Sequence, residues 1–370
     1  MTLVAGQVAP SPNPALHALV VGCGSYPNFP PALPPAARSA TAFAEWLARS
    51  YHNPACPLGS IDALVSPAPQ AVAGQAVEPA TMAAIGQAVT RWVARASSHE
   101  DNIAVFYFAG HGIERGLDLA LLTEGFSPPP ALNPFNDAID LNEFLGGMES
   151  CMARRQIFIV DACRNMPPWA YGLVGGMGNA LVARNLDVRP SQRPRDWPVL
   201  FGAAAEQLAY ADPNGLSRFT SALLGALDGP ATDADANGIY SVRADGIVSS
   251  IIELGDDGCL PFDWGLQRPT LGGQMGRPFV LHVPQDGPRI PVRVECAPPA
   301  LNANAVFTVT EAGSAKELAK DTRPAGQPMH WIALLPPQRV SVHAAFNGGA
   351  PPARQLDVLV APPCLKAVLS

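Results

Sequence analysis

The sequence predicts an α/β protein: a three-layer α/β/α domain on a mostly parallel six-stranded sheet, followed by a small all-β, sandwich-like domain. Three observations carry this. Short runs of large apolar residues, His17–Val21, Ile103–Phe108 and Gln156–Val160, read as strands buried on both faces, as in a parallel sheet. Stretches with helical spacing alternate with them, the βαβ pattern of helices covering both faces. From Asp286 onward the helical spacing stops and short proline-bounded apolar runs recur, which is a pattern of strands alone.

Taken in order, residues 1–15 read as a flexible N-terminal tail and 16–285 as the α/β domain. His17–Val21 is its first strand, closed by Gly22-Cys23-Gly24. A dinucleotide turn would need a third glycine where Pro27 stands, so that reading is not supported. Pro35 opens a helix to Tyr51 with Ala36, Ala40, Phe43 and Leu47 on one face. Ile61–Val65 is a second strand, and Thr81 caps a helix whose stripe is Ile85, Ala88, Val89 and Trp92. Ile103–Phe108 runs into Ala109-Gly110-His111-Gly112; residues 113–137 read as an irregular loop and 140–154 as a helix. Gln156–Val160 then ends in Asp161-Ala162-Cys163-Arg164-Asn165, and a long insertion, 167–197, follows. Pro198–Ala204, a helix from Ser217 to Leu227, a second helix at Ile247–Leu254 and a last strand at Pro278–Val283 complete the domain. Pro284 to Pro288 is the expected boundary, with 286–370 as the β-domain.

Composition narrows the function. The formal charge is −7, from 24 basic and 31 acidic residues, which argues against nucleic acid as a partner. Hydrophobic residues make up 48%, ample for a core, but no run is long enough to span a membrane. The seven cysteines are odd in number, widely spaced and lack any CxxC, so neither a zinc site nor a disulfide framework is indicated. With a proline-interrupted N-terminus and no signal-peptide pattern, a soluble cytoplasmic protein is expected.

The chemistry gathers at strand ends. In a parallel sheet Gly22-Cys23-Gly24, Gly110-His111-Gly112 and Asp161-Ala162-Cys163 fall on one edge. A cysteine becomes a nucleophile only as the thiolate, so it needs a neighbouring base, and His111 can fill that place. Of the seven histidines it is the one set between glycines after a buried strand. Gly112, without a side chain, lets its N–H join that of Cys163 in a two-donor oxyanion hole. The plainer alternatives are a cysteine filling a strand end and a histidine held by core contacts.

With these residues in place, the chain resembles a caspase-fold cysteine peptidase of the bacterial metacaspase and paracaspase type, family C14. The matching pieces are His17–Tyr26, Phe108–Gly112, Ile159–Cys163, Phe201–Ala204 and Arg218-Phe219-Thr220, so the likeness spans roughly residues 14–285. It implies a thiol endopeptidase with His111 as general base, Cys163 as nucleophile, and Gly112 with Cys163 in the oxyanion hole. Protein substrates and an upstream activating protease or regulator are implied as partners, with no nucleic acid and no membrane. No cofactor is required, and calcium stimulation is known in the family. Bacterial members occur in stress, death and antiphage circuits.

The departures matter as much. The animal signature Gln-Ala-Cys-x-Gly reads Asp161-Ala162-Cys163-Arg164-Asn165 here, and Arg38-Ser39 stands where the family often has Asn-Asp. Asp161 shares a strand face with Cys163. The resemblance implies that it lines an S1 pocket that favours Arg or Lys; a carboxylate capping the following turn is the alternative. In the family the segment after the cysteine strand is where zymogens are cut, which makes Arg184, Arg189, Arg193 and Arg195 candidate cleavage sites within 182–197. Asp233, Asp235 and Asn237 resemble the start of a calcium loop, but Ala244 stands where the closing carboxylate belongs. The rival function is a scaffold or adaptor acting through the β-domain without significant proteolysis.

Overall fold

A computed structural model describes the chain except for residues 1–2, 7–12, 30, 69, 173–174, 185–194, 266, 325 and 350. It divides into two compact units: Met1–Leu224 with Trp264–His282, and Gly225–Asp263 with Val283–Ser370. The chain crosses between units at 224/225, 263/264 and 282/283. Residues 225–263, expected with the first domain, group with the second unit instead. No helix among the described residues is long and apolar enough to cross a membrane.

The first unit is an α/β sandwich. Its elements in chain order are β1 (Leu3–Gly6), β2 (Leu16–Cys23), α1 (Pro34–Arg49), β3 (Leu58–Ser66), α2 (Met82–Ala96), β4 (Ile103–Gly110), β5 (Gly112–Arg115), β6 (Asp118–Leu122), β7 (Ala138–Asp140), α3 (Leu141–Met148), β8 (Arg155–Ala162), β9 (Trp197–Phe201), α4 (Arg218–Leu227) and β10 (Thr270–Gln274). The main sheet has seven strands rather than six, in the order β1-β3-β2-β4-β8-β9-β10. The five central strands are parallel, while β1 and β10 close the edges antiparallel. Two expectations are corrected here. Leu3–Gly6 is a paired edge strand, not part of a flexible tail, because Leu3, Val4 and Ala5 supply a short β-forming run against β3. The far edge is taken by Thr270–Gln274; Val280–His282 forms a strand outside this sheet.

Residues of β2 and β4 are buried on both faces, as their unbroken apolar runs require. Alternation sends Leu19, Val21, Phe106, Phe108, Phe158 and Val160 into one cluster with Trp92 of α2 and Phe144 of α3. Tyr107 points the other way. It stacks on Phe43 of α1 with ring centroids 4.6 Å apart and hydrogen-bonds Thr220 of α4 at 2.6 Å. Residues 113–137, read as a loop, hold most of a hairpin: β5 pairs antiparallel with β6, and β6 with β7.

In the second unit, α5 (Ile247–Asp256) precedes a two-sheet β structure. Its strands are β11 (Ile290–Cys296), β12 (Ala305–Glu311), β13 (Glu317–Lys320), β14 (Trp331–Leu335), β15 (Arg339–Phe346), β16 (Arg354–Leu359) and β17 (Leu365–Leu369). The sheets run β14-β11-β17 and β13-β12-β15-β16. Val292, Val294, Phe307, Val309, Trp331, Val340 and Val342 form their common core, as period-two apolar runs require.

Candidate active site

The sheet register places the reactive strand ends. Gly22 stands opposite Ala109, and along the next pair Ala109 faces Asp161 and Gly110 faces Ala162. Beyond the strands the same offset of 52 reappears at the bridge between Ile113 and Asn165. His111 and Cys163, at the same offset, therefore stand in register just past the last paired residues. Glu114 N–H to Asn165 carbonyl, at 3.3 Å, continues the pairing past them. Gly112 permits this approach: a Cβ there would lie 2.4 Å from the Cys163 carbonyl oxygen.

His111 is fixed from two sides. Its backbone N–H donates to the Tyr26 hydroxyl at 2.8 Å, and that hydroxyl donates to the Leu122 carbonyl at 3.2 Å. The ring lies 4.8 Å from the Tyr26 ring and 5.5 Å from Phe29. Nε2 is 3.3 Å from the Pro31 carbonyl oxygen. A carbonyl only accepts, so this contact places the proton on Nε2 and leaves the Nδ1 lone pair open. Burial lowers the imidazole pKa below its usual 6.5, with the Pro31 carbonyl working against that shift.

Cys163 is half-buried, and its Sγ accepts the Ala209 N–H at 3.3 Å. Burial raises the thiol pKa; the Ala209 amide opposes this, and the Asp161 carboxyl adds to it. Both members of the pair are thus held neutral near pH 7. That state suits proton transfer during attack rather than a standing ion pair.

The caspase domain family of peptidases matches residues 15–249, more than half of the chain and the part that carries both strand ends. The chain belongs to this family. It is 32% identical over 157 residues to a probable protease of a Desulfuromonadales bacterium, covering 40% of this chain and 18% of that protein. It is 26% identical over 185 residues to an uncharacterized protein of Sinorhizobium fredii, covering 49% of this chain and 52% of the other. The chain spans less than two thirds of the length of either relative. Similar solved structures include caspase-1 from Spodoptera frugiperda, with 10% identity and a TM-score of 0.45 over 76% of this chain and 96% of that one. A protein of Geobacter sulfurreducens has 16% identity and a TM-score of 0.44, over 74% and 98%.

Around the caspase-domain site the remaining expected residues fall unevenly. Asp161 is buried, and its carboxylate accepts hydrogen bonds from Ser217 Oγ and, at 2.6 Å, from Thr220 Oγ1. Burial raises its pKa, while Ser217, Thr220 and Tyr107 lower it. Ser217 Oγ also accepts the Thr220 N–H at 3.0 Å, so Asp161 buttresses the start of α4. Arg38 donates to the carbonyls of Gly215 (2.8 Å) and Pro213 (2.6 Å), and Ser39 Oγ accepts the Ser217 N–H. The Arg38-Ser39 departure therefore lies against the segment that covers Asp161. Among the proposed cleavage sites, Arg184 is 3.7 Å from Glu149 and Arg195 donates to the Cys151 carbonyl at 2.8 Å. Arg189 and Arg193 lie outside the described residues. Asp235 accepts the N–H groups of Asn237 and Ile239 within a turn, and Asp233 sits in the strand Thr232–Ala234. Among the described residues no three His, Cys, Asp or Glu side chains are grouped to hold a metal.

Sequence reading missed one feature. Arg164, next to Cys163, pairs with Glu114 at 2.6 Å, lies 4.2 Å over the Phe201 ring and reaches Thr270 at 3.4 Å. Both charges are largely buried and link β5, after His111, to the segment after Cys163. The signal was available: opposite charges stand one residue past the cysteine and two past Gly112, on neighbouring strands.

Proposed function

We propose that the protein is a cysteine endopeptidase in which His111 and Cys163 act as a dyad. The observation that carries this is the shared register of the two residues, with the imidazole oriented by Pro31 so that Nδ1 is open. As Cys163 Sγ attacks a peptide carbonyl, its proton passes to His111 Nδ1. The amide nitrogen then takes that proton and leaves as an amine, giving a thioester that water hydrolyses. Gly112 and Cys163 N–H groups serve the developing oxyanion. The reaction needs no cofactor, and calcium belongs here as a stimulator to be scored in the same assay.

The substrate side of the reading is cleavage after Arg or Lys. Asp161 is two residues before the nucleophile on the same strand face, and Ser217 and Thr220 hydrogen-bond its carboxylate. Processing within 182–197 belongs to the same reading, since Arg184 and Arg195 lie within that stretch. A fluorogenic scan of P1 residues, with and without calcium, tests it. Turnover of Arg and Lys peptides should exceed that of Asp peptides, and Asp161→Asn should lower kcat/KM for basic peptides at least tenfold. Turnover of Asp peptides instead, or the same P1 ranking in Asp161→Asn, removes Asp161 from specificity.

A further inference from the structure

The second unit carries a pair of thiols that the proposed reaction does not use. Helix α5 ends in a fixed turn: Asp257 N–H bonds to the Glu253 carbonyl at 2.9 Å and Cys259 N–H to the Leu254 carbonyl at 2.8 Å. Gly258 takes φ +66 between them, the left-handed step that commonly ends a helix. From β11, Arg293 Nη1 donates to the Asp257 carbonyl at 2.9 Å and fills the space where a side chain at 258 would stand. Cys259 is thereby held buried in one position. Cys364 is half-buried and directly precedes β17, which pairs in parallel with β11. Its Sγ lies 3.4 Å from Asp257 Oδ2 and 4.0 Å from the Glu253 carbonyl, which sets the two thiols at the same end of α5.

We propose that Cys259 and Cys364 form a thiol–disulfide exchange site, which closes to an intramolecular disulfide on meeting a low-molecular-weight disulfide. The neighbouring Cys364 thiol lowers the Cys259 pKa, while Cys259 and burial raise that of Cys364. Cys364 is the more accessible, and its sulfur attacks one sulfur of the small disulfide. That S–S bond breaks, and one half leaves with the Cys364 proton as a thiol. Cys259 then attacks the Cys364 sulfur, forming the internal disulfide and expelling the second half, which takes the Cys259 proton. Two electrons pass from the protein pair to the small disulfide. The bond joins the end of α5 to the start of β17 and acts on the second unit alone.

The test uses the full chain with oxidised glutathione, an alkylating quench and peptide mapping without reductant. The expected product joins the Cys259 and Cys364 peptides at a mass lower by two hydrogens, and dithiothreitol reverses it. In Cys259→Ala the reaction should stop at a glutathione adduct on Cys364. Wild-type Cys364 that stays reduced, stops at that adduct or joins a different cysteine overturns the proposal. None of these readouts depends on peptidase activity, so they stand or fall apart from the dyad.

Discussion

The two ends of the parallel sheet in the first unit hold reactive side chains in opposite ways. At the amino ends of β4 and β8, charges are paired with one another. Arg154 meets Asp101 at 2.9 Å and Glu100 at 3.2 Å, Arg155 meets Asp101 at 3.6 Å, and Asp196 accepts the N–H groups of Gly276 and Arg277. A cavity of about 770 Å³ lies there, lined in part by Asp101, Arg154, Arg155, Asp196 and Arg277. At the carboxyl ends the imidazole and thiol are held mainly by backbone groups: the Pro31 carbonyl, the His111 N–H on Tyr26 and the Ala209 N–H. The amino ends thus hold a group of more exposed ion pairs, while the carboxyl ends hold the proposed dyad beside one buried pair, Arg164 with Glu114. Backbone partners restrain a side chain without neutralising its lone pair, which is the condition a dyad needs.

The largest test of that contrast is removal of a member from each end. Cys163→Ala should reduce kcat/KM on an Arg-P1 peptide by about 10⁴-fold or more, the scale seen when a nucleophile is deleted. Arg154→Ala, in a partly exposed ion-pair group, should leave it within about twofold. The same Cys163→Ala protein should show no new N-termini between Val182 and Trp197 after incubation, where wild type does. Equal losses in the two variants, or equal cutting of both proteins, would break the comparison.

What was legible beforehand follows from which physical signals are local. Central strands announce themselves because burial on both faces demands continuous apolar runs, and the motifs at their ends are set by the sheet's own register. Edge strands do not. Gly272 and Gly273 give β10 a weak strand signature, and its place is set by pairing with Trp197–Phe201. Leu3–Gly6 is too short to signal a strand without β3 beside it. In the candidate site, the common placement of His111, Gly112 and Cys163 was legible from strand ends, but the Pro31 carbonyl and the Ala209 amide are backbone groups with no residue signature. The burial of Asp161 under Ser217 and Thr220 depends on α4, 56 to 59 positions away, and no local pattern reports it.

A second test asks whether the buried charge at the carboxyl ends is structural. Glu114→Ala leaves the Arg164 guanidinium with Phe201 and Thr270 but no counter-charge beside Cys163. Breaking a buried pair on one side costs about 3–5 kcal/mol, and the small residual exposure of Arg164 places this one near about 3 kcal/mol. Urea unfolding should register that loss, and Glu114→Leu with Arg164→Met should recover much of it. Asp101→Ala at the opposite end removes more exposed pairs and should cost no more than about 1 kcal/mol. A larger cost for Asp101→Ala would reverse the ranking of the two ends.

The smallest effect is the most diagnostic of how the dyad rests. A base works only when unprotonated, and burial has moved the His111 pKa below 6.5. At pH 6.5 more than half of the imidazole is therefore neutral, so kcat/KM should retain more than half of its plateau there and fall only at lower pH. The thiol shift runs upward, so no preformed thiolate accumulates as pH passes the ordinary cysteine value. Alkylation of Cys163 by iodoacetamide, followed at that peptide, should accordingly still be rising at pH 9. An acid limb above pH 7 would mean that the imidazolium is stabilised beside a thiolate. An alkylation plateau below pH 8 would mean the same, and the imidazole and thiol would then rest as an ion pair like those at the amino ends.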